Sequence, residues 1–114
     1  MRAKQVSIVV PVLNEEGNIL ALLERVQEIF VKASYEGEVI FVDDGSADKS
    51  WEMLSALKKQ NPHTITAVKL TQNYGQHNAL FCGLTFVKSD WVITIDDDLQ
   101  TPPEEIEKLL TSQK

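Results

Sequence analysis

Apolar and polar positions along the chain follow one recurring pattern. A short β-branched run is followed by a polar turn, and then by apolar residues at helical spacing. Residues 5–11 (Gln-Val-Ser-Ile-Val-Val-Pro) predict a central strand ended by Pro11. After it, Ile19, Leu22, Leu23, Val26, Ile29 and Phe30 fall on one helical face. Residues 38–42 predict a second strand, and Trp51, Leu54 and Leu57 mark a helix that stops before Pro62. Residues 64–70 predict a third, shorter strand. The third helix carries Ala79, Leu80, Gly83, Phe86 and Val87 on its inner side. Ser89-Asp90 turns the chain into a fourth strand that starts at Trp91 and ends in Asp96-Asp97-Asp98. Ile106, Leu109 and Leu110 mark a last helix, whose start is signalled by Thr101 as N-cap, Pro102 and Glu104.

Strand and helix alternating in this way predict an α/β fold. It has three layers: a mainly parallel, Rossmann-like sheet with helices on both faces and right-handed crossovers between strands. The polar turns that follow the strands then share one edge, where such sheets bind ligands. Gly45 permits a tight turn there, while Asn14 and Ser46 are placed to cap the helices that follow them. Gly83 costs stability in mid-helix, so it predicts close approach of helix and sheet.

The same edge collects the candidate chemistry. Three adjacent carboxylates repel one another and call for a counter-charge or open water. A hard divalent cation, completed by phosphate oxygens of a substrate, fits them. In an extended segment Asp96 and Asp98 point one way and Asp97 the other. An acidic loop capping the last helix is the other reading of the triplet, but that helix has its own cap at Thr101. Glu15 and Glu16 suit the dipole of the first helix. Asp43 and Asp44 fit turn chemistry, or one of them accepts hydrogen bonds from a ribose or base. His77 reads equally as a surface residue or as a contact to phosphate or a sugar hydroxyl. The convergence of Glu15, Asp44, Asp96 and Asp98 outweighs any single motif.

Composition narrows the field. A chain of 114 residues suits one domain, and 43% hydrophobic with 25% charged residues is ordinary for a soluble globular protein. The net charge of −6, with no basic block, argues against a nucleic-acid partner. The single cysteine, Cys82, excludes an internal disulfide and a multi-cysteine metal site, and reads as a small core residue. It is consistent with a reducing compartment. There is no signal peptide and no apolar run long enough to span a bilayer. The glycine-rich dinucleotide fingerprint, the P-loop and a serine nucleophile elbow are all lacking. Phosphate must then be held chiefly through a metal.

Four stretches carry a family resemblance: Val-Pro-Val-Leu-Asn-Glu-Glu at 10–16, Phe-Val-Asp-Asp-Gly-Ser-Ala-Asp-Lys-Ser at 41–50, Gln-Asn-Tyr-Gly-Gln-His-Asn-Ala at 72–79, and Ile-Asp-Asp-Asp-Leu-Gln-Thr-Pro-Pro-Glu-Glu at 95–105. In this order the chain resembles the family-2 glycosyltransferases of GT-A fold. It is most similar to their polyprenyl-phosphate branch, which includes dolichol-phosphate mannose synthase and the undecaprenyl-phosphate sugar transferases. The resemblance implies inverting transfer of a sugar from a UDP- or GDP-sugar to a polyprenyl phosphate. It implies that Pro11, Leu13 and Glu15 border the nucleotide and that Val42 and Asp44 contact its base and ribose. Asp96 and Asp98 would handle Mg2+ or Mn2+ and the diphosphate, Asp97 would add backbone contacts and Gln100 a further ligand. The family often has Ala where Asp97 stands here.

The resemblance also implies that residues 1–114 are the N-terminal nucleotide-sugar-binding portion of a larger catalytic domain, inactive alone. The acceptor-side residues would lie beyond Lys114. The chain is expected to be cytoplasmic, and the full-length protein to sit at the cytoplasmic face of the membrane. A polysaccharide or protein-linked glycan acceptor, or a non-catalytic nucleotide-binding or assembly module, is the alternative. A nucleotidyltransferase is weaker, because no Gly-rich, Arg- and Lys-bearing loop follows the first strand. An unpaired sheet edge leaves self-pairing open.

Overall fold

The structure, a computed structural model, describes residues 4–32, 34–89 and 91–94. It alternates β1 (Lys4–Val12), α1 (Ile19–Lys32), β2 (Tyr35–Asp43), α2 (Ser50–Gln60), β3 (Ile65–Lys69), α3 (Gln76–Leu84) and β4 (Trp91–Thr94). The strands form one sheet in the order β3-β2-β1-β4, and every pairing is parallel.

The two-residue period of the strands divides the core. Val6, Ile8, Val10 and Val12 of β1, with Val39 and Phe41 of β2, join Ile19, Leu22, Leu23 and Val26 of α1 and Leu54 and Leu57 of α2. Val9, Ile40 and Val42 turn the other way and meet Ala79 of α3. Thus α1 and α2 cover one face and α3 the other. This follows from strand order. From β1 to β3 the chain steps one way, then returns past β1 to place β4, and a right-handed crossover on the return puts its helix on the opposite face. The direction therefore reverses between β1 and β4, the switch point at which such sheets open a crevice.

Two strand boundaries differ from expectation by more than a residue or bear on the role of Pro11. β1 runs through Pro11 to Val12 instead of stopping at the proline. The Val12 carbonyl accepts the Asp44 N–H at 2.8 Å, so Val12 faces β2 and Pro11 faces the β4 side. The missing N–H of Pro11 therefore removes nothing from the β1–β2 ladder. β2 begins at Tyr35, three residues before the expected start at Glu38. Phe86 was expected on the inner side of α3 but is 41% exposed, because the helix ends at Leu84 and its periodicity no longer applies. Gly83 does bring α3 close to the sheet. A Cβ there would overlap Val9 Cγ1 and stand 3.0 Å from Val42 Cγ2.

The side chain of Ile29, the turn residue Asp90, the continuation of the fourth strand past Thr94 and the last helix, with Thr101, Ile106, Leu109 and Leu110, lie outside the described residues. Among the described residues no helix is long and apolar enough to cross a membrane.

Candidate functional site

The carboxyl ends of β1, β2 and β3 release three loops onto one edge. Between them lies a cavity of about 270 Å3. It is lined by Pro11, Val12, Leu13 and Glu15 from the end of β1 and its loop, by Asp44 after β2, and by Asn73, Gly75 and Gln76 after β3. A larger, open hollow of about 740 Å3 lies at the other edge, beside the strand starts at Gln5, Tyr35 and Thr66. Ligands in parallel α/β sheets bind at the carboxyl edge, so the smaller cavity is the candidate.

Asp43 and Asp44 are adjacent, and the pleat sends them to opposite faces. Asp44 is 3% exposed. One of its oxygens accepts the Tyr74 N–H at 2.7 Å and the other the Gly75 N–H at 3.1 Å. It thereby ties the end of β2 to the loop that enters α3. Asp43 is fully buried on the α1–α2 face. Its Oδ1 accepts the Ser46 N–H at 3.2 Å, and its Oδ2 has no hydrogen-bond partner among the described residues. Gly45 makes the turn possible with a φ of 74°. A Cβ at Gly45 would stand 2.6 Å from the Asn73 nitrogen, so the second and third loops abut backbone to backbone.

Asn14 and Ser46 were expected to cap α1 and α2. Instead they bond across to each other's loops. Asn14 adopts a left-handed φ of 52°, and its Oδ1 accepts the N–H groups of Ala47 at 2.7 Å and Asp48 at 3.3 Å. In return the N–H groups of Asn14, Glu15 and Glu16 donate to Ser46 Oγ at 2.9 Å, Ser50 Oγ at 3.0 Å and Asp48 Oδ2 at 3.1 Å. The helices start too late for the expected caps, at Ile19 and Ser50. Because β1 and β2 are neighbours, each loop finds its partners in the other. Asp48 Oδ1 also accepts the Ser50 N–H and the Ser50 hydroxyl. Burial works against the charge of Asp48, but hydrogen bonds from the Ser50 hydroxyl, the Ser50 N–H and the Glu16 N–H outweigh it. The carboxyl is held below its ordinary value. Sequence reasoning did not single out Asp48 or Ser50. The Asp-Lys-Ser spacing was the available signal, since an Asp side chain readily accepts the backbone N–H two residues on.

Of the nucleotide-contacting residues expected from sequence, Pro11, Leu13, Glu15 and Asp44 line the cavity together. Glu15 also accepts a hydrogen bond from Asn18 Nδ2 at 2.6 Å. Val42 does not line the cavity. It is fully buried beneath α3 because its strand position faces Val9, Ile40 and Ala79. His77 is exposed near the start of α3 and is not part of the cavity wall. Asp96, Asp97, Asp98 and Gln100 lie outside the described residues. Among the described residues no three His, Cys, Asp or Glu side chains gather as a metal site.

A parallel α/β sheet with an acid-bearing cavity at the carboxyl ends of its strands is an architecture in which nucleotides bind. The chain belongs to Glycosyl transferase family 2, whose family model matches residues 7–114. It is 48% identical over 107 residues to the undecaprenyl-phosphate 4-deoxy-4-formamido-L-arabinose transferase of Serratia proteamaculans, covering 94% of this chain and 33% of that one. It is 44% identical over 105 residues to the transferase of the same name from Pseudomonas aeruginosa, covering 92% of this chain and 31% of that one. The chain thus spans about a third of the length of the curated relatives it matches. The fold is that of GT-A glycosyltransferases. The mannosyltransferase PcManGT from Pyrobaculum calidifontis, solved with GDP-Man and Mn2+, aligns with a TM-score of 0.77 at 24% identity, over 95% of this chain and 32% of that one. TarS residues 1–349 from S. aureus, solved with UDP-GlcNAc, align with a TM-score of 0.71 at 23% identity, over 94% of this chain and 30% of that one.

Proposed function

We propose that this chain is the donor-binding portion of an inverting glycosyltransferase that moves a sugar from a UDP- or GDP-sugar to a polyprenyl phosphate. Residues 1–114 then form one unit within a larger catalytic domain acting at the cytoplasmic face of a membrane. The observation that carries this reading is the meeting of Glu15, Asp44, Asn73, Gly75 and Gln76 around one cavity at the carboxyl ends of the strands. Family membership supports the reaction class, and the relatives' names support a lipid-phosphate acceptor.

Each part of the cavity has a role in this reading. Pro11 and Leu13 offer the base an apolar wall, and Glu15 accepts from a hydroxyl or base N–H. Each Asp44 oxygen takes one backbone N–H, and a carboxylate has about four acceptor sites, so capacity remains for a ribose or base. Val42 contributes through packing under α3, by fixing the end of β2 that leads into Asp44. Family membership supports a cation held by Asp96, Asp98 and Gln100, with Asp97 adding backbone contacts to the diphosphate. Two carboxylates and an amide oxygen are hard donors of the kind that suit Mg2+ or Mn2+. Such an ion, when bound, offsets the charge that develops on the departing nucleoside diphosphate. The acceptor phosphate oxygen attacks the anomeric carbon opposite the leaving group. Being already anionic, it has little need of a general base.

Calorimetric titration with UDP and GDP, with and without Mg2+ or Mn2+, tests the proposal on the wild type and on Asp98→Ala. Cation-dependent binding by the wild type, weakened in the variant, is expected. Affinity unchanged after divalent ions are stripped would refute the metal assignment, and binding of neither nucleotide would refute the whole reading. The chain alone is expected to transfer little or no sugar to purified lipid acceptor, and robust turnover would show that acceptor chemistry is already present in it.

A further inference from the structure

The cavity wall formed by Leu13 and Glu15 belongs to a loop outside regular structure, and something must hold it in place. The N–H groups of Asn14, Glu15 and Glu16 follow one another directly, beginning at a residue with positive φ. Consecutive N–H groups in such a conformation form a concavity that attracts anions. Here the concavity is already filled, by Ser46 Oγ, Ser50 Oγ and Asp48 Oδ2. The Asn14 amide oxygen completes the exchange by accepting from Ala47 and Asp48. Ser50 is fully buried, and its hydroxyl donates to Asp48 while accepting from Glu15, so the network has a fixed direction.

We propose that Asn14 and Asp48 are positioning residues for nucleotide binding: their reciprocal hydrogen bonds lock the β1–α1 loop onto the β2–α2 loop and so hold the Leu13–Glu15 wall in its binding conformation. This rests on the nucleotide-binding reading above. Neither side chain lines the cavity, so both act through the backbone they hold. The clamp also occupies the loop's anion-binding concavity from inside the protein. The diphosphate is left to the cation and to other groups.

If the clamp is lost, the loop samples other conformations, and the apparent Kd rises as the inverse of the fraction still competent. A loop competent about a fifth of the time raises Kd about fivefold. The experiment measures Kd for UDP and GDP with Mn2+, together with amide hydrogen exchange, on the wild type, Asn14→Gly, Asn14→Asp, Asp48→Ala and Leu57→Ala. Asn14→Gly keeps the positive φ and removes the amide, so a rise in Kd of about fivefold or more is expected. Asp48→Ala is expected to do the same, and Asn14→Asp, which keeps the accepting oxygen, to recover most of the affinity. Leu57→Ala loses stability at a core position away from the cavity and is expected to leave Kd near the wild-type value. Wild-type affinity in Asn14→Gly and Asp48→Ala, or an equal rise in Leu57→Ala, overturns the proposal.

Exchange separates this inference from the functional reading. Protection of the Glu15, Glu16, Ala47 and Asp48 amides should fall in the clamp variants and persist in Leu57→Ala. If the wild type binds neither nucleotide, the functional reading fails. Retained protection in the clamp variants sinks the clamp on its own.

Discussion

Asp44 and Asp48 show how differently two carboxylates near one turn can be used. Asp44 is buried and spends both oxygens on the backbone of the next loop. Losing a hydrogen bond to a charged group costs about 1.5–3 kcal/mol. Asp44→Ala takes the acceptor from the Tyr74 N–H, while the Gly75 N–H keeps Asn73 Oδ1; it is expected to lower stability by about that amount, read by urea unfolding, and to abolish nucleotide binding as the loop carrying Asn73, Gly75 and Gln76 is released. Asp48 gives a pH-dependent prediction. A carboxyl held below its ordinary value adds stability that is present above the unfolded value and lost as pH falls through the folded one. The stability difference between the wild type and Asp48→Asn should be full at neutral pH and close only as pH drops below 3.8, the ordinary value. Unfolding curves across pH 2–7 (about that range) would show it, and a difference that already closes near neutrality would mean Asp48 is not held by the Ser50 and Glu16 bonds. The sequence showed acids at this edge but not their separate duties, because a side chain's partner depends on which loop lies beside it.

At the level of elements, α3 carries the sharpest constraint. Glycine inside a helix costs roughly 0.5–1 kcal/mol relative to alanine, so Gly83→Ala would help an isolated helix. In this fold the added methyl overlaps Val9 Cγ1, on a β-branched side chain with little freedom to move. Overpacking of this kind costs about 1–3 kcal/mol. Net destabilisation is therefore expected on thermal or urea unfolding, and a gain in stability would mean that α3 sits farther from the sheet. The inner faces of α1 and α2 were readable because a 3.6-residue period survives wherever the helix does. Helix starts were not, since Asn14 and Ser46 had competing partners in the neighbouring loop. Pro11 misled for a related reason. Its missing N–H matters only on the side it faces, and strand order settles that side.

For the molecule as a whole, the cavity depends on three loops at once, so it exists only in the folded chain. A ligand that binds only the folded state stabilises it by about 2.7 kcal/mol at one hundred times its Kd. For a domain of this size that is a rise in Tm of about 10 °C or more. UDP or GDP with Mn2+ is expected to produce such a rise, and chelation of the cation to remove much of it. A rise of equal size without divalent ions would separate the nucleotide site from the metal.

The sequence alone determined the alternation of strands and helices among the described residues, the apolar faces of α1 and α2, and the place of Glu15 and Asp44 after their strands. Those properties are local, written in the spacing of residues a few positions apart. Only the tertiary structure decided that Asp44 faces the cavity and Asp43 the opposite layer, that Val42 lies under α3, and that Asn14 pairs with a loop 32 residues away. Those outcomes depend on strand order and on which face each residue takes once the sheet has formed, and no period along the chain records them.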